Sequence, residues 1–147
     1  MSEYIENDEN GVSVGLVEKK YFTFAEPPDS MVLESNARLG PITIAYETLG
    51  TLNEDRSNVV LVLHALSGDS HVAGYYSEED KKPGWWEIMV GPGKSIDTDK
   101  YFVVSPNIIG SCMGSTGPSS INQTTGNPYG FDFPLVPIED MGTAQKD

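Results

Sequence analysis

The sequence has one cysteine, Cys112, and few basic residues. A single cysteine cannot form an internal disulfide, which is typical of proteins from reducing compartments. The sequence has nine Lys and Arg residues and 22 Asp and Glu residues, which gives a formal net charge of −13. Nucleic acids and anionic membrane surfaces repel such a charge. We therefore expect a cytoplasmic protein without a nucleic-acid or membrane partner.

Long apolar runs and targeting signals are also missing. No stretch of 18 apolar residues occurs, so no transmembrane helix is expected. The N-terminus lacks the basic and apolar regions of a secretory signal. It begins instead with "MSEYIENDEN", which predicts a flexible acidic tail over residues 1–11. The remaining residues, 12–147, suffice for one domain with a hydrophobic core.

Two catalytic motifs are absent as well. The sequence contains neither a "GxSxG" nucleophile elbow nor a "GxxxxGK[ST]" phosphate loop. Ser115, in "GSTGP", comes nearest to an elbow serine. Pro118 and the surrounding serines do not form the strand-to-helix turn that an elbow requires. The sequence therefore lacks an evident attacking group.

Two apolar runs dominate what is present. "VVLVLHAL" (59–66) and "KYFVVSPNIIG" (100–110) show no alternation, which predicts strands buried on both faces of a sheet. Between them, "PGWWEIMVG" (83–91) has a proline before it and a glycine at its end, which predicts a short helix. We expect the two strands to be parallel near neighbours joined by a crossover through this helix.

The flanking segments complete the fold prediction. Residues 12–24 alternate and predict a strand, whereas "MVLESNARLG" and "PITIAYETLG" predict an antiparallel hairpin joined at Gly40-Pro41. "IEDMGTAQKD" begins like a helix. The predicted class is α/β, with an antiparallel start followed by parallel strands and crossover helices.

The first candidate site is "HALSG" (64–68), at the carboxyl end of a buried strand. Ligands of open α/β sheets bind beyond such ends, and a turn there can direct a backbone N–H into a cleft. The alternative is an ordinary turn with a packed histidine. His64 is a weak candidate for a catalytic base.

The second candidate is "GSCMGSTGPSS" (110–120), a run of small residues between two apolar segments. It could line a ligand cleft or pack under another loop, because glycine permits close backbone approach. Cys112 could be a nucleophile, but it has no basic neighbour in sequence, which favours an inert small hydrophobe.

Two further motifs have structural and functional interpretations. Trp85 and Trp86 could stack on a sugar or base, but more often such residues anchor a loop to the core. Asp97 and Asp99 could bind a metal, although two carboxylates without further ligands favour turn formation.

Taken together, these segments resemble the N-terminal portion of homoserine O-acetyltransferases. The resemblance rests on "GPITIAYETLGTLN" (40–53), "VVLVLHALSGDSHVAG" (59–74), the stretch from "PGWW" to "GFDFP" (83–134) and "IEDM" (138–141). It implies an α/β-hydrolase fold that is truncated here before the nucleophile elbow. The family's catalytic serine, aspartate and histidine would all lie beyond residue 147.

The resemblance also implies a mechanism and a site. A serine would take the acetyl group from acetyl-CoA, and the hydroxyl of L-homoserine would then accept it, in methionine biosynthesis and without a further cofactor. The Leu66 N–H would be one oxyanion donor and would face a cavity bordered by the 110–117 loop. The implied cleft lining comprises Ala65, Ser67, Gly68, Gly110, Cys112, Gly114, Ser115, Thr116 and Gly117.

The resemblance has implications for assembly and activity, and two alternative functions stay open. It implies a homodimer when full length and no activity for this segment alone. One alternative is a homoserine or serine O-succinyltransferase on the same scaffold. Another is a non-catalytic α/β module that binds a partner through a sheet edge.

Overall fold

A computed structural model describes residues 12–146. The acidic tail predicted over residues 1–11 lies outside this range. Four strands form one sheet, in the order β1-β4-β8-β5, and two separate pairs are formed by β2 with β3 and by β6 with β7. The elements are β1 (Lys20–Phe24), β2 (Met31–Val32), β3 (Arg38–Leu39), β4 (Ile42–Leu49), β5 (Val59–Leu61), β6 (Val90–Gly91), β7 (Ile96–Asp97), β8 (Phe102–Pro106), a 3-10 helix (Gly130–Asp132) and α1 (Ile138–Ala144).

Among the described residues, the first of two compact units comprises residues 12–20 and 46–105. In it β5 pairs with β8 in parallel, with Val60 opposite Val103. The Val62 N–H extends the pairing by donating to the Val104 carbonyl at 2.9 Å. The predicted parallel pairing of the two apolar runs is confirmed. The hydrophobic core of the first unit is formed by buried residues of its strands and loops, namely Leu49, Val62, Val72, Ala73, Val90 and Val103.

The prediction that residues 59–66 form a strand buried on both faces is wrong. The strand ends at Leu61, and its side chains alternate. Val62 is buried, whereas Val59, Leu61 and Leu63 are each about half exposed. β5 lies at the edge of its sheet, and no element among residues 12–146 of this unit covers its outer apolar face.

The crossover helix predicted over residues 83–91 is not formed. Residues 85–89 make successive turns, in which the Glu87 N–H donates to Gly84 and the Met89 N–H donates to Trp86. So short a segment cannot sustain a helix on its own. Glu87 instead turns inward, where its carboxylate accepts the Gly74 N–H at 2.6 Å and pairs with Lys94 at 3.0 Å.

The second unit comprises residues 21–45 and 106–146. It contains an antiparallel hairpin, but not at Gly40-Pro41 as predicted. β2 pairs with β3 inside the first of the two predicted strands. The turn lies at residues 33–37, where Asn36 has a φ of 63°. Asparagine tolerates this left-handed conformation better than most residues, so the turn forms there.

At the N-terminal end of the described residues the predicted strand is shorter than expected, whereas the helix predicted at the C-terminal end is present. The predicted strand over 12–24 is limited to β1, because Gly15, with a φ of 79°, interrupts the extended backbone. The helix predicted at "IEDM" is present as α1. Its buried Asp140 accepts the Glu34 N–H at 3.1 Å. Among residues 12–146, no helix has the length and apolarity needed to cross a bilayer.

Candidate functional site

A tight turn follows β5 at residues 65–68. The Gly68 N–H donates to the Ala65 carbonyl at 2.8 Å, and His64 Nδ1 lies 2.7 Å from the same oxygen. This i to i+3 bond defines a β-turn with Leu66 at its second position. The two contacts on one carbonyl fix the orientation of the turn.

Leu66 presents its backbone to the surface of the first unit. Leu66 is 91% exposed, and its N–H donates to no acceptor among residues 12–146. Ala65 and Ser67 are exposed and Gly68 is half-buried. The N–H at the second position is not used by the turn bond, so it is accessible to a ligand oxygen or to water.

A buried carboxylate supports the segment after this turn, and the sequence predictions missed it. Glu47 on β4 is fully buried. Tyr76 Oη donates to its Oε1 at 2.6 Å, and His71 Nδ1 lies 3.3 Å from its Oε2. The two rings stack with their centroids 4.0 Å apart. A charged residue in the middle of the apolar strand "ITIAYETL" was the available signal.

The tryptophan pair binds the same segment. Trp85 Nε1 donates to the Asp69 carbonyl at 3.0 Å, and the Trp85 N–H donates to the His71 carbonyl at 3.0 Å. Trp86 packs against the core of the first unit. These contacts support the interpretation of both residues as loop anchors.

Asp97 organises the turn before β8. Its Oδ1 accepts the Gly93 N–H at 2.9 Å and the Asp99 N–H at 3.1 Å. The bond from Gly93, followed by those from Lys100 and Asp99, lowers the pKa of the Asp97 carboxyl below its ordinary value. The ion pair with Asp97 raises the pKa of Lys100. Asp97 is thus a turn former, and residues 12–146 contain no cluster of three or more metal-ligating side chains.

The small-residue loop at 110–117 lies in the second unit and is bound to β4. Ser115 Oγ accepts the Ala45 N–H at 2.9 Å and donates to the Asn107 carbonyl at 2.7 Å. Thr116 Oγ1 accepts the Thr43 N–H, and the Thr116 N–H donates to the Thr43 carbonyl, both at 2.8 Å. Both side chains are buried. These contacts show Ser115 as a structural hydroxyl with both of its hydrogen-bonding roles in use.

Close packing explains the glycine at position 117 of this loop. A Cβ at Gly117 would lie 2.2 Å from the Ser111 carbonyl oxygen, which no side chain could tolerate. Gly110, Cys112 and Gly114 are exposed. Cys112 lies between Gly110 and Gly114, but no helix follows it before residue 130 to complete a nucleophile elbow.

The comparisons with known proteins can be set against this geometry. No family model matches the chain. The chain is 60% identical over 146 residues to a homoserine O-acetyltransferase from Solidesulfovibrio magneticus, covering 99% of this chain and 37% of that protein. It is 57% identical to a homoserine O-acetyltransferase from Desulfotalea psychrophila, covering 91% of this chain and 35% of that protein.

Over nearly its whole length, the chain is similar to one part of homoserine O-acetyltransferases. It spans little more than a third of the length of these curated relatives. The crystal structure of homoserine O-acetyltransferase from Bacillus anthracis matches it with a TM-score of 0.81 at 38% identity, over 89% of this chain and 35% of that one. The segment is therefore the N-terminal third of an α/β-hydrolase fold.

A second solved structure matches this chain equally well. The crystal structure of esterase E22 has a TM-score of 0.80 at 40% identity, over 89% of this chain and 36% of that one. The same scaffold thus occurs in a protein described as an esterase.

Proposed function

We propose that the full-length protein containing this segment transfers the acetyl group of acetyl-CoA to the hydroxyl of L-homoserine. The observation that carries this proposal is the 60% identity to a homoserine O-acetyltransferase over nearly the whole segment. Cytoplasmic location, a role in methionine biosynthesis, independence of any cofactor and a homodimeric state belong to the same proposal.

The proposed reaction has two acyl-transfer steps, by resemblance to the family. A serine oxygen attacks the thioester carbonyl, the carbon–sulfur bond breaks, and a histidine passes the serine proton to the leaving CoA thiolate. The homoserine hydroxyl then attacks the acyl-enzyme and its proton returns to the serine through the histidine. The serine, histidine and orienting aspartate belong to the two thirds of the family's length outside this segment.

This segment contributes an oxyanion donor in the proposal. In each step negative charge builds on the carbonyl oxygen, and a backbone N–H aimed at it stabilises the transition state. The Leu66 N–H supports this role because it has no acceptor within residues 12–146 and follows the carboxyl end of β5. Donors of this type come from loops after strands in α/β-hydrolases.

The other residues predicted to line the cleft fall into two groups, one exposed or half-buried and one buried. Ala65, Ser67 and Gly68 flank the proposed donor, and Gly110, Cys112 and Gly114 are exposed in the second unit. We keep these six as candidates for substrate contact. Ser115, Thr116 and Gly117 are buried, and the bonds of Ser115 and Thr116 to β4 favour the role of holding the loop.

Product analysis tests the proposal. Full-length protein is incubated with either acetyl-CoA or succinyl-CoA, and with either homoserine or serine, and products are identified by mass spectrometry. We expect O-acetylhomoserine as the main product. Predominant O-succinylhomoserine or an O-acylserine would instead support the related acyltransferases.

Ester hydrolysis is a second candidate function, favoured by the match to esterase E22. In an ester hydrolase the serine attacks an ester carbonyl, the carbon–oxygen bond breaks, and the alcohol leaves with the proton that the histidine passes on. Water then replaces homoserine in the second step, and the oxyanion donor serves both steps in the same way. The two functions differ in the acyl donor and in the acceptor that reaches the acyl-enzyme.

A further inference from the structure

Glu47 occupies a position at which the strand pattern calls for an apolar residue. It is fully buried, and Leu49, two residues along β4, belongs to the hydrophobic core. A buried carboxylate is costly unless it is paired and hydrogen-bonded. A conflict of this kind between residue type and environment often marks a functional position.

Both carboxylate oxygens of Glu47 are engaged by one short segment. Tyr76 donates to one oxygen and His71 Nδ1 contacts the other. The rings of these residues stack at an interplanar angle of 20°. Glu47 therefore connects β4 to both ends of the segment 71–76.

The proposed oxyanion turn lies just upstream of this segment. Val62 fixes the start of the connection through its bond to Val104. At the far side, Asp69 Oδ1 accepts the His71 N–H at 2.9 Å, and Ser70 is fully buried. The exposed residues 65–67 thus span two fixed points, of which the second includes His71.

We propose that Glu47 is a positioning residue for the Leu66 N–H. It holds His71 and Tyr76 and thereby fixes the downstream support of the turn. An oxyanion donor works only within a narrow range of distances from the reacting oxygen, so a small shift of the turn lowers turnover. This inference rests on the proposed oxyanion role of Leu66.

Two substitutions at Glu47 separate positioning from packing. Glu47→Met keeps the length and volume of the side chain but removes both contacts. Glu47→Gln retains a side chain that can bond both rings. Glu47→Met removes the acceptor of Tyr76 Oη and the partner of His71 Nδ1, and removing one member of a buried set is destabilising. The folded fraction is therefore measured by denaturant titration, and a role in packing alone predicts unchanged turnover per folded molecule.

The measurements use the full-length protein. Turnover is followed with acetyl-CoA and also with p-nitrophenyl acetate. The second substrate is an acyl donor that releases p-nitrophenol when the enzyme is acylated, before any acceptor reacts. We expect Glu47→Met to lower kcat at least about 10-fold with both substrates, with KM changed about twofold at most, and Glu47→Gln to restore most of the loss. Asp97→Asn, which alters another buried carboxylate of the same unit, should leave kcat within about twofold.

A double mutant identifies the group through which Glu47 acts. Adding Glu47→Met to Leu66→Pro should cost little further turnover, because the donor to be positioned is already gone. Wild-type turnover in Glu47→Met, or full multiplication of the two losses, would overturn the inference and leave the oxyanion role of Leu66 intact. An undiminished turnover in Leu66→Pro would overturn both.

Discussion

At the scale of single residues, the Leu66 N–H carries the proposed chemistry of this segment. Leu66 occupies the second position of its β-turn, where proline is favoured. Leu66→Pro therefore deletes the donor with little strain. We expect the full-length variant to lose about 10²- to 10³-fold in kcat, which is the cost of one oxyanion donor.

Leu66→Ala is the matched control for this prediction. It keeps the N–H and removes a side chain that is 91% exposed, so its loss in kcat should be much smaller. Steady-state kinetics on both variants decide the matter. Equal losses in the two variants would show that the side chain, and not the donor, is required.

Ser115 is the second residue with a specific expectation. Its hydroxyl binds the Ala45 N–H and the Asn107 carbonyl in a buried site. Ser115→Ala leaves both groups unsatisfied and should cost about 1–3 kcal/mol of unfolding free energy. Denaturant titration of the full-length protein measures this cost.

The same variant tests whether Ser115 is the attacking group. Folded Ser115→Ala protein should keep turnover of the same order as wild type, because the hydroxyl is committed to structure. A loss approaching the million-fold cost of removing a catalytic nucleophile would contradict the structural role of Ser115 and show that its hydroxyl is the attacking group.

At the scale of elements, the sequence predicted strands better than their connections. The parallel pair of β5 and β8 was predictable because each strand is a continuous apolar run. The hairpin was misplaced because Gly40-Pro41 has a stronger turn signature than Asn36, whose left-handed φ decides the actual turn. The helix at 83–91 was wrong because inward contacts of Glu87 with Gly74 and Lys94 are invisible in a linear pattern.

The candidate site was predictable in the same uneven way. The turn at 65–68 follows a recognisable strand end, so its position could be inferred. The support from Glu47 could not, since it joins residues that are 24 and 29 positions apart. Only the folded chain brings this carboxylate to His71 and Tyr76.

The turn before β8 yields a prediction of pH dependence. The pKa of Asp97 is lowered from 3.8, mainly by the Gly93 N–H. The ionised carboxylate therefore stabilises the fold above this pH, and the contribution is lost as the pH falls through the lowered pKa. Asp97→Asn should lower Tm near pH 7, and the difference from wild type should shrink below pH 3.8.

Thermal unfolding of both full-length proteins across acidic pH tests this expectation. Lys100, whose pKa is raised from 10.5, should lose its part of the interaction only at strongly alkaline pH. A difference in Tm that persists unchanged into acid would show that the Asp97 charge does not stabilise the turn.

At the scale of the whole molecule, this segment holds the proposed oxyanion donor, whereas the proposed serine, histidine and aspartate belong to the rest of the family's length. The 147-residue chain alone should release no CoA from acetyl-CoA in the presence of homoserine. It should also self-associate, because Val59, Leu61 and Leu63 expose one apolar face of an edge strand. CoA release and size-exclusion chromatography test the two expectations. Turnover near that of the full-length protein would place the nucleophile within this segment, with Cys112 the first residue to examine.

With acetyl-CoA as the donor, acetyl transfer and hydrolysis differ in whether homoserine or water accepts the acetyl group. Measuring which acceptor is used is therefore the most direct test of the proposed function. Full-length protein is given acetyl-CoA with increasing homoserine, and O-acetylhomoserine and free acetate are quantified together. The acyltransferase proposal predicts that O-acetylhomoserine accounts for most of the CoA released and that its share rises with homoserine. Release of acetate at a rate unaffected by homoserine would contradict it and identify the protein as a hydrolase.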